Sequence, residues 1–188
     1  MEITTQMVKD LRERTGAGVM DAKRALVASD GDMTKAAAII EEQGRNRAVR
    51  KEGRETSQGL VWSYIHGGQP GQNGGRVGAL VEINCETDFV AKTDDFRDLC
   101  RDVAMQVAAM DPKYISAGDI PETELRAQAA SAEKYAERVA LLSQPFIKDA
   151  SKTIGELVKD RIGKLGENIM VRRFARFELG VAPDIAEE

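Results

Sequence analysis

Cysteine and histidine are scarce in this sequence. Cys85 and Cys100 are the only cysteines in 188 residues, and His66 is the single histidine. With no paired Cys motif and one imidazole, neither a zinc site nor a disulfide framework is expected, and no metal or cofactor is assigned. Long apolar runs are also missing: none approaches the roughly 20 residues that span a bilayer. Met1-Glu2-Ile3-Thr4 has no basic region leading into an apolar stretch, so no secretory signal is read there. The expected compartment is the reducing cytoplasm, with both cysteines acting as small buried hydrophobes. Excess positive charge is absent as well. The formal net charge of −4 disfavours non-specific nucleic-acid binding by the whole chain, though not by a local patch. No residue stretch repeats. No nucleophile stands beside a base, so bond-making catalysis is not expected and the chain is not read as an enzyme.

What is present is ordinary for a globular protein: 42% hydrophobic and 31% charged residues. Thr4 is placed as an N-cap, with Ile3 and Val8 as a staple, and Met7, Val8 and Leu11 form an apolar stripe. Thr15-Gly16-Ala17-Gly18 breaks that helix. A second helix is predicted over 19–28, burying Val19, Ala22 and Leu26, and Asp32 caps a third that buries Met33, Ala36, Ala37 and Ile40 and ends at Gly44. Three short helices bury little apolar area, so residues 1–53 read as a three-helix module with surface left for a partner. The basic stretch Arg45–Arg54 reads as a solvated helix tail and linker, because no aromatics interleave for base stacking.

Residues 54–182 read as an α+β core, followed by an acidic tail over 183–188. Leu60–His66 is a strand. The Gly-rich loop Gly67–Gly75 lacks a Gly-Lys-Ser/Thr ending and leads into another strand, so it is a hairpin connection and not a phosphate loop. In the second strand Val77, Ala79, Val81, Ile83 and Cys85 share one face. Alternation stops at Cys85-Glu86-Thr87-Asp88-Phe89-Val90, and Thr93 caps the next helix, whose core positions are Phe96, Leu99, Cys100, Val103 and Val107. Phe89 therefore stands at a strand-to-helix junction, either as a plug at the end of the core or as a protruding side chain. Asp111-Pro112 ends that helix. A weakly amphipathic helix is predicted from Pro121 to about Leu141, Gln144–Ile147 interrupts, and Thr153 caps a helix burying Ile154, Leu157, Val158 and Ile162 that ends at Gly163–Gly166. A last strand alternates Val171, Ala175, Phe177 and Leu179 against Arg172, Phe174 and Arg176. The order gives a three-stranded antiparallel sheet with helices on one face. Two rival readings are set against a non-catalytic, partner-binding role: an RNA-binding protein using Arg45–Arg54 with Trp62 or Tyr64 as stacking platforms, and a hydrolase centred on His66.

Several blocks occur together in a known order. Val8-Lys9-Asp10-Leu11-Arg12-Glu13-Arg14-Thr15-Gly16-Ala17-Gly18 leads into Met20-Asp21-Ala22-Lys23-Arg24-Ala25-Leu26. Glu82-Ile83-Asn84-Cys85-Glu86-Thr87-Asp88-Phe89-Val90-Ala91 follows, then Gln144-Pro145-Phe146-Ile147, then Gly166-Glu167-Asn168-Ile169 with Arg176-Phe177-Glu178. The chain thereby resembles the elongation factor Ts family, in its short form, over nearly its whole length. The resemblance implies a ubiquitin-associated-like three-helix module and an α+β dimerisation domain. It implies elongation factor Tu as partner, in its GDP-bound and nucleotide-free forms, with no membrane and no direct nucleic-acid binding. Carried onto this chain, Thr87, Asp88, Phe89 and Val90 contact the partner and dislocate its Mg²⁺, and Arg12, Val19 and Met20 grip it from the N-terminal module. Val19 stands where the family often has Met, and Ala22 where it often has Cys.

Overall fold

The computed structural model describes residues 2–68, 74–128 and 131–181. The acidic tail over 183–188 and the middle of the Gly-rich loop, 69–73, lie outside the described residues. Chain contacts divide the protein into two compact units, Met1–Arg54 with Lys159–Asn168, and Glu55–Val158 with the residues from Ile169 on.

The first unit opens with helix α1 (Thr5–Thr15), capped by the Thr4 hydroxyl, which accepts from the Met7 N–H at 3.2 Å. Gly16, at φ 68°, ends it in the left-handed conformation that glycine adopts without strain. Helix α2 spans Val19–Ala28, and α3 spans Met33–Lys51 with the Asp32 carboxylate accepting from Thr34 and Lys35. Their core is Leu11, Ala22, Ala25, Leu26, Ala36, Ala37 and Ile40, with Met33 partly buried against it. Two expectations need correction. Val19, which spacing assigns to the buried face, is 51% exposed; it occupies the first turn of α2, outside the core cluster. Gly44 does not end α3. A Cβ built on Gly163 would come within 2.8 Å of the Gly44 Cα. The close backbone approach inside this unit depends on the missing Cβ of Gly163, whereas a Cβ on Gly44 would reach Gly163 only at 3.9 Å, so Gly44 is neither a termination signal nor a steric requirement. The basic stretch is therefore largely helical. Arg47 Nη1 lies 3.1 Å from Asp21 Oδ2, and Lys51 Nζ donates to the Gly166 carbonyl.

The second unit is α+β. Strands β1 (Gln58–His66) and β2 (Val77–Cys85) form an antiparallel hairpin, and β5 (Ile169–Glu178) pairs on the other side of β2. Between them come α4 (Asp88–Ala91), α5 (Asp94–Met110), α6 (Glu122–Ala127), α7 (Ala132–Val139), the small hairpin β3 (Pro145–Phe146) with β4 (Asp149–Thr153), and α8 (Ile154–Leu165), which runs on into the 159–168 segment. Helix α5 packs on the sheet, and its Phe96, Leu99, Cys100, Val103 and Val107 are fully buried. The facing side of β2 supplies Ala79, Val81, Ile83 and Cys85. By cross-strand register the opposite face carries Val61, Ile65, Leu80 and Phe177, all exposed.

Sequence alternation fails in β5 for a definite reason. Glu82 pairs with Arg173 but Ile83 pairs with Val171, so Arg172 is an extra residue, a β-bulge. One extra residue swaps every later side chain to the other face. Phe174 and Arg176 turn inward, and Phe177, grouped by sequence with Val171, points out. In place of the single helix predicted from Pro121 to about Leu141 there are α6 and α7; α6 ends at Ala127 with Gln128 as its C-cap, and 129–130 lie outside the described residues. Helix α6 buries no residue fully and α7 only Val139, so little apolar burial supports a continuous helix. The β3–β4 hairpin is too short to show as alternation. It is fixed by two buried glutamines. Gln106 Nε2 donates to Gln144 Oε1 and to the Pro145 carbonyl, each at 3.1 Å, and Gln106 Oε1 accepts from the Ile147 N–H. Gln144 Nε2 donates to the Arg138 carbonyl at 2.8 Å. Such a network satisfies polar groups that would be costly to bury alone.

Candidate functional site

The Thr87–Val90 stretch folds as one helical turn at the end of the central strand. β2 stops at Cys85, and Thr87, at φ −128° and ψ 156°, is an extended N-cap whose hydroxyl accepts from the Val90 N–H. Four residues cannot hold a helix by backbone bonds alone. Neighbouring side chains supply the rest. The Cys85 thiol donates to the Thr87 carbonyl at 3.1 Å, and the Thr93 hydroxyl donates to the Val90 carbonyl at 2.7 Å while capping α5 at Phe96. Ala91 is buried and pins the turn to the core. The turn then has one side left for solvent. Phe89 lies there at 79% exposure, the most exposed large apolar side chain among the described residues. It is not a core plug. Val90 and Thr87 are half-buried and Asp88 is exposed.

Asp88 is the charged member. Lys92 Nζ stands 2.6 Å from Asp88 Oδ2, one turn along. The Lys92 hydrogen bond chiefly, opposed by desolvation and helped by the ammonium charge and nearby backbone N–H groups, holds the Asp88 carboxyl below the usual carboxylate range. Lys92 carries no role in the sequence reading. Its spacing of four from Asp88, acid first, is a favourable helical pair, but the signal was hidden because no helix is predicted before Thr93.

The residues assigned to the N-terminal module lie together in the first unit. Met20 and Val19 occupy the first turn of α2, at 65% and 51% exposure. Arg12, in the last turn of α1, is exposed and its Nε donates to the Ala17 carbonyl at 3.4 Å, across the loop that leads into α2. Behind Met20, Asp21 binds Arg24 and Arg47; the Arg24 hydrogen bond chiefly, then Arg47, holds its carboxyl low against the desolvation that would raise it. Sequence spacing did not reveal that link between α2 and α3.

The residues of the competing readings are placed differently. Trp62 and Tyr64 pair with Val81 and Ala79 and so share the half-buried inner face of the sheet, and the Tyr64 ring stacks on His66. His66 has the Tyr64 hydroxyl at 3.1 Å from Nδ1. Among the described residues no group of three or more His, Cys, Asp and Glu is arranged to hold a metal ion, and no helix is long and apolar enough to cross a membrane.

Comparison with known proteins extends these observations to the whole chain. The family model described as Elongation factor TS matches residues 2–134. The Elongation factor Ts of Carboxydothermus hydrogenoformans is 50% identical over an alignment covering 95% of this chain and 89% of that protein. That of Heliobacterium modesticaldum is 47% identical, covering 95% and 90%, and that of Desulfitobacterium hafniense 44% identical, covering 100% and 94%. Matches of this extent, taken with the α+β fold and the N-terminal helices, place the chain in the elongation factor Ts family, whose work is translation elongation.

Proposed function

We propose that this chain is a guanine-nucleotide exchange factor that binds elongation factor Tu in its GDP-bound form, promotes GDP release and leaves the site open for GTP. The observation that carries the reading is Phe89, a large apolar side chain held in solvent by a braced turn. A soluble chain loses nothing by burying such a ring, so a ring held out is suited to a partner's pocket. Exchange needs no bond-making by this chain, which is not an enzyme in that sense. It needs tighter binding to the nucleotide-free partner than to the loaded one; by linkage, nucleotide then weakens the factor by the same ratio. Phe89 acts as a wedge that fits only when the partner's Mg²⁺ and phosphate contacts are displaced. Asp88 accompanies it, Thr87 and Val90 line the turn, and Arg12, Val19 and Met20 supply grip from the other unit. The setting is the cytoplasm.

The test is release of labelled GDP from elongation factor Tu. Phe89→Ala lowers the stimulated rate by roughly 30- to 1000-fold, the loss of a buried aromatic interface anchor. An unchanged rate in the folded variant overturns the wedge. We further infer a homodimer through the second unit, in keeping with the short-form resemblance. The exposed outer face with Val61, Leu80 and Phe177 suits a second copy by two-fold symmetry. Sedimentation at micromolar concentration reads a dimer that Leu80→Glu converts to monomer; a wild-type monomer removes the claim.

A further inference from the structure

We propose that Lys92 is a positioning residue that holds the Asp88 carboxylate in the orientation the exchange site uses. The inference rests on the Phe89 reading above. The bonds from Cys85, Thr87 and Thr93 all engage backbone atoms of the turn. They set where the chain runs, and backbone N–H groups of Phe89 and Asp88 give the Asp88 carboxylate a weaker hold than Lys92 does. Lys92 alone among the described hydrogen bonds reaches that carboxylate from another side chain, at 2.6 Å. The pair spans one helical turn with the acid N-terminal, the more favourable order. Both members are well exposed, 69% for Lys92 and 51% for Asp88, so the pair contributes little to folding. It fixes a rotamer beside Phe89. Lys92 follows directly after buried Ala91, which anchors the base of the lysine stem. An aspartate left unrestrained samples several rotamers, and each productive encounter then waits for one of them.

The experiment measures stimulated GDP release from elongation factor Tu as a function of factor concentration, for the full chain and its variants. Lys92→Met keeps the length of the stem and removes the charge. It lowers the maximal stimulated rate by about two- to fivefold, with the half-saturating concentration and the thermal midpoint unchanged. Lys92→Arg restores most of the rate. In an Asp88→Asn background, Lys92→Met causes no further loss, because its effect runs through Asp88. An unchanged rate for Lys92→Met overturns the proposal. So does an undiminished loss in the Asp88→Asn background, which would show Lys92 touching the partner directly. A faster rate would show the lysine competing for Asp88 and equally overturns it. Phe89→Ala run in parallel separates the two levels. If it slows release while Lys92→Met does not, only the positioning role falls; if Phe89→Ala is silent, both fall.

Discussion

Met20 and Phe89 are both large apolar side chains left in solvent, at 65% and 79% exposure, yet they are carried in opposite ways. Met20 rides on a regular ten-residue helix whose other face, Ala22, Ala25 and Leu26, is core. Its display is a by-product of amphipathicity. Phe89 rides on four residues with no helix stability of their own, held by the Cys85 thiol, two threonine hydroxyls and buried Ala91. A surface made by a helix face tolerates polar changes and fails when its core fails. A surface made by a braced turn depends on individual hydrogen bonds. That suits gripping in the first case and exact aim in the second.

The comparison is broken most severely at Phe96, seven positions beyond Phe89 and fully buried. Phe96→Ala costs about 3–5 kcal/mol of stability and lowers the thermal midpoint by roughly 10 °C, whereas Phe89→Ala costs less than about 0.5 kcal/mol. Equal thermal shifts in calorimetry would mean that Phe89 is core after all. In the first unit, Gly163→Val forces a side chain against the Gly44 backbone and costs about 1–3 kcal/mol, read as a fall in urea midpoint. No loss would show that the close approach is not required. Met20→Asp changes stability little but weakens partner affinity by about tenfold in a titration, leaving the maximal release rate intact. A loss in rate instead of affinity would erase the distinction between grip and wedge. Removing 1–53 outright is a blunter test, because 159–168 belongs to the same unit. The smallest effect concerns pH. The folded Asp21 carboxyl titrates below its ordinary value, so its contribution is complete above an unfolded value near 4 and is lost as pH falls through the lower folded value. Asp21→Asn flattens that part of the acid limb in urea titrations; an unchanged limb shows that the link to Arg24 and Arg47 is not energetic.

Much of this was legible in the residues. Thr4, Asp32, Thr93 and Thr153 cap helices where their short polar side chains predict, and β2 alternates as written. The position of Phe89 was legible too, as the place where strand alternation stops. Its exposure was not: one apolar residue at a junction is consistent with plug or wedge, and the braces that decide between them come from residues on either side.

The sequence by itself determined what local chemistry determines: helix starts, the break after Cys85, the inward face of β2, and membership of the family through ordered blocks. Only the tertiary structure decided the rest. Arg172 bulges because pairing with β2 shifts register there, and no property of Arg172 announces it. Helix α3 runs on through Gly44, and Gly163, far along the chain, must lack a Cβ to lie against it. Gln106 and Gln144 are fully buried because each completes the other's hydrogen bonds across 38 positions. Caps and alternation depend on energies between near neighbours, which a sequence displays in order. Registers, close approaches and buried polar pairs depend on which distant residues meet, and that is settled only when the chain has packed.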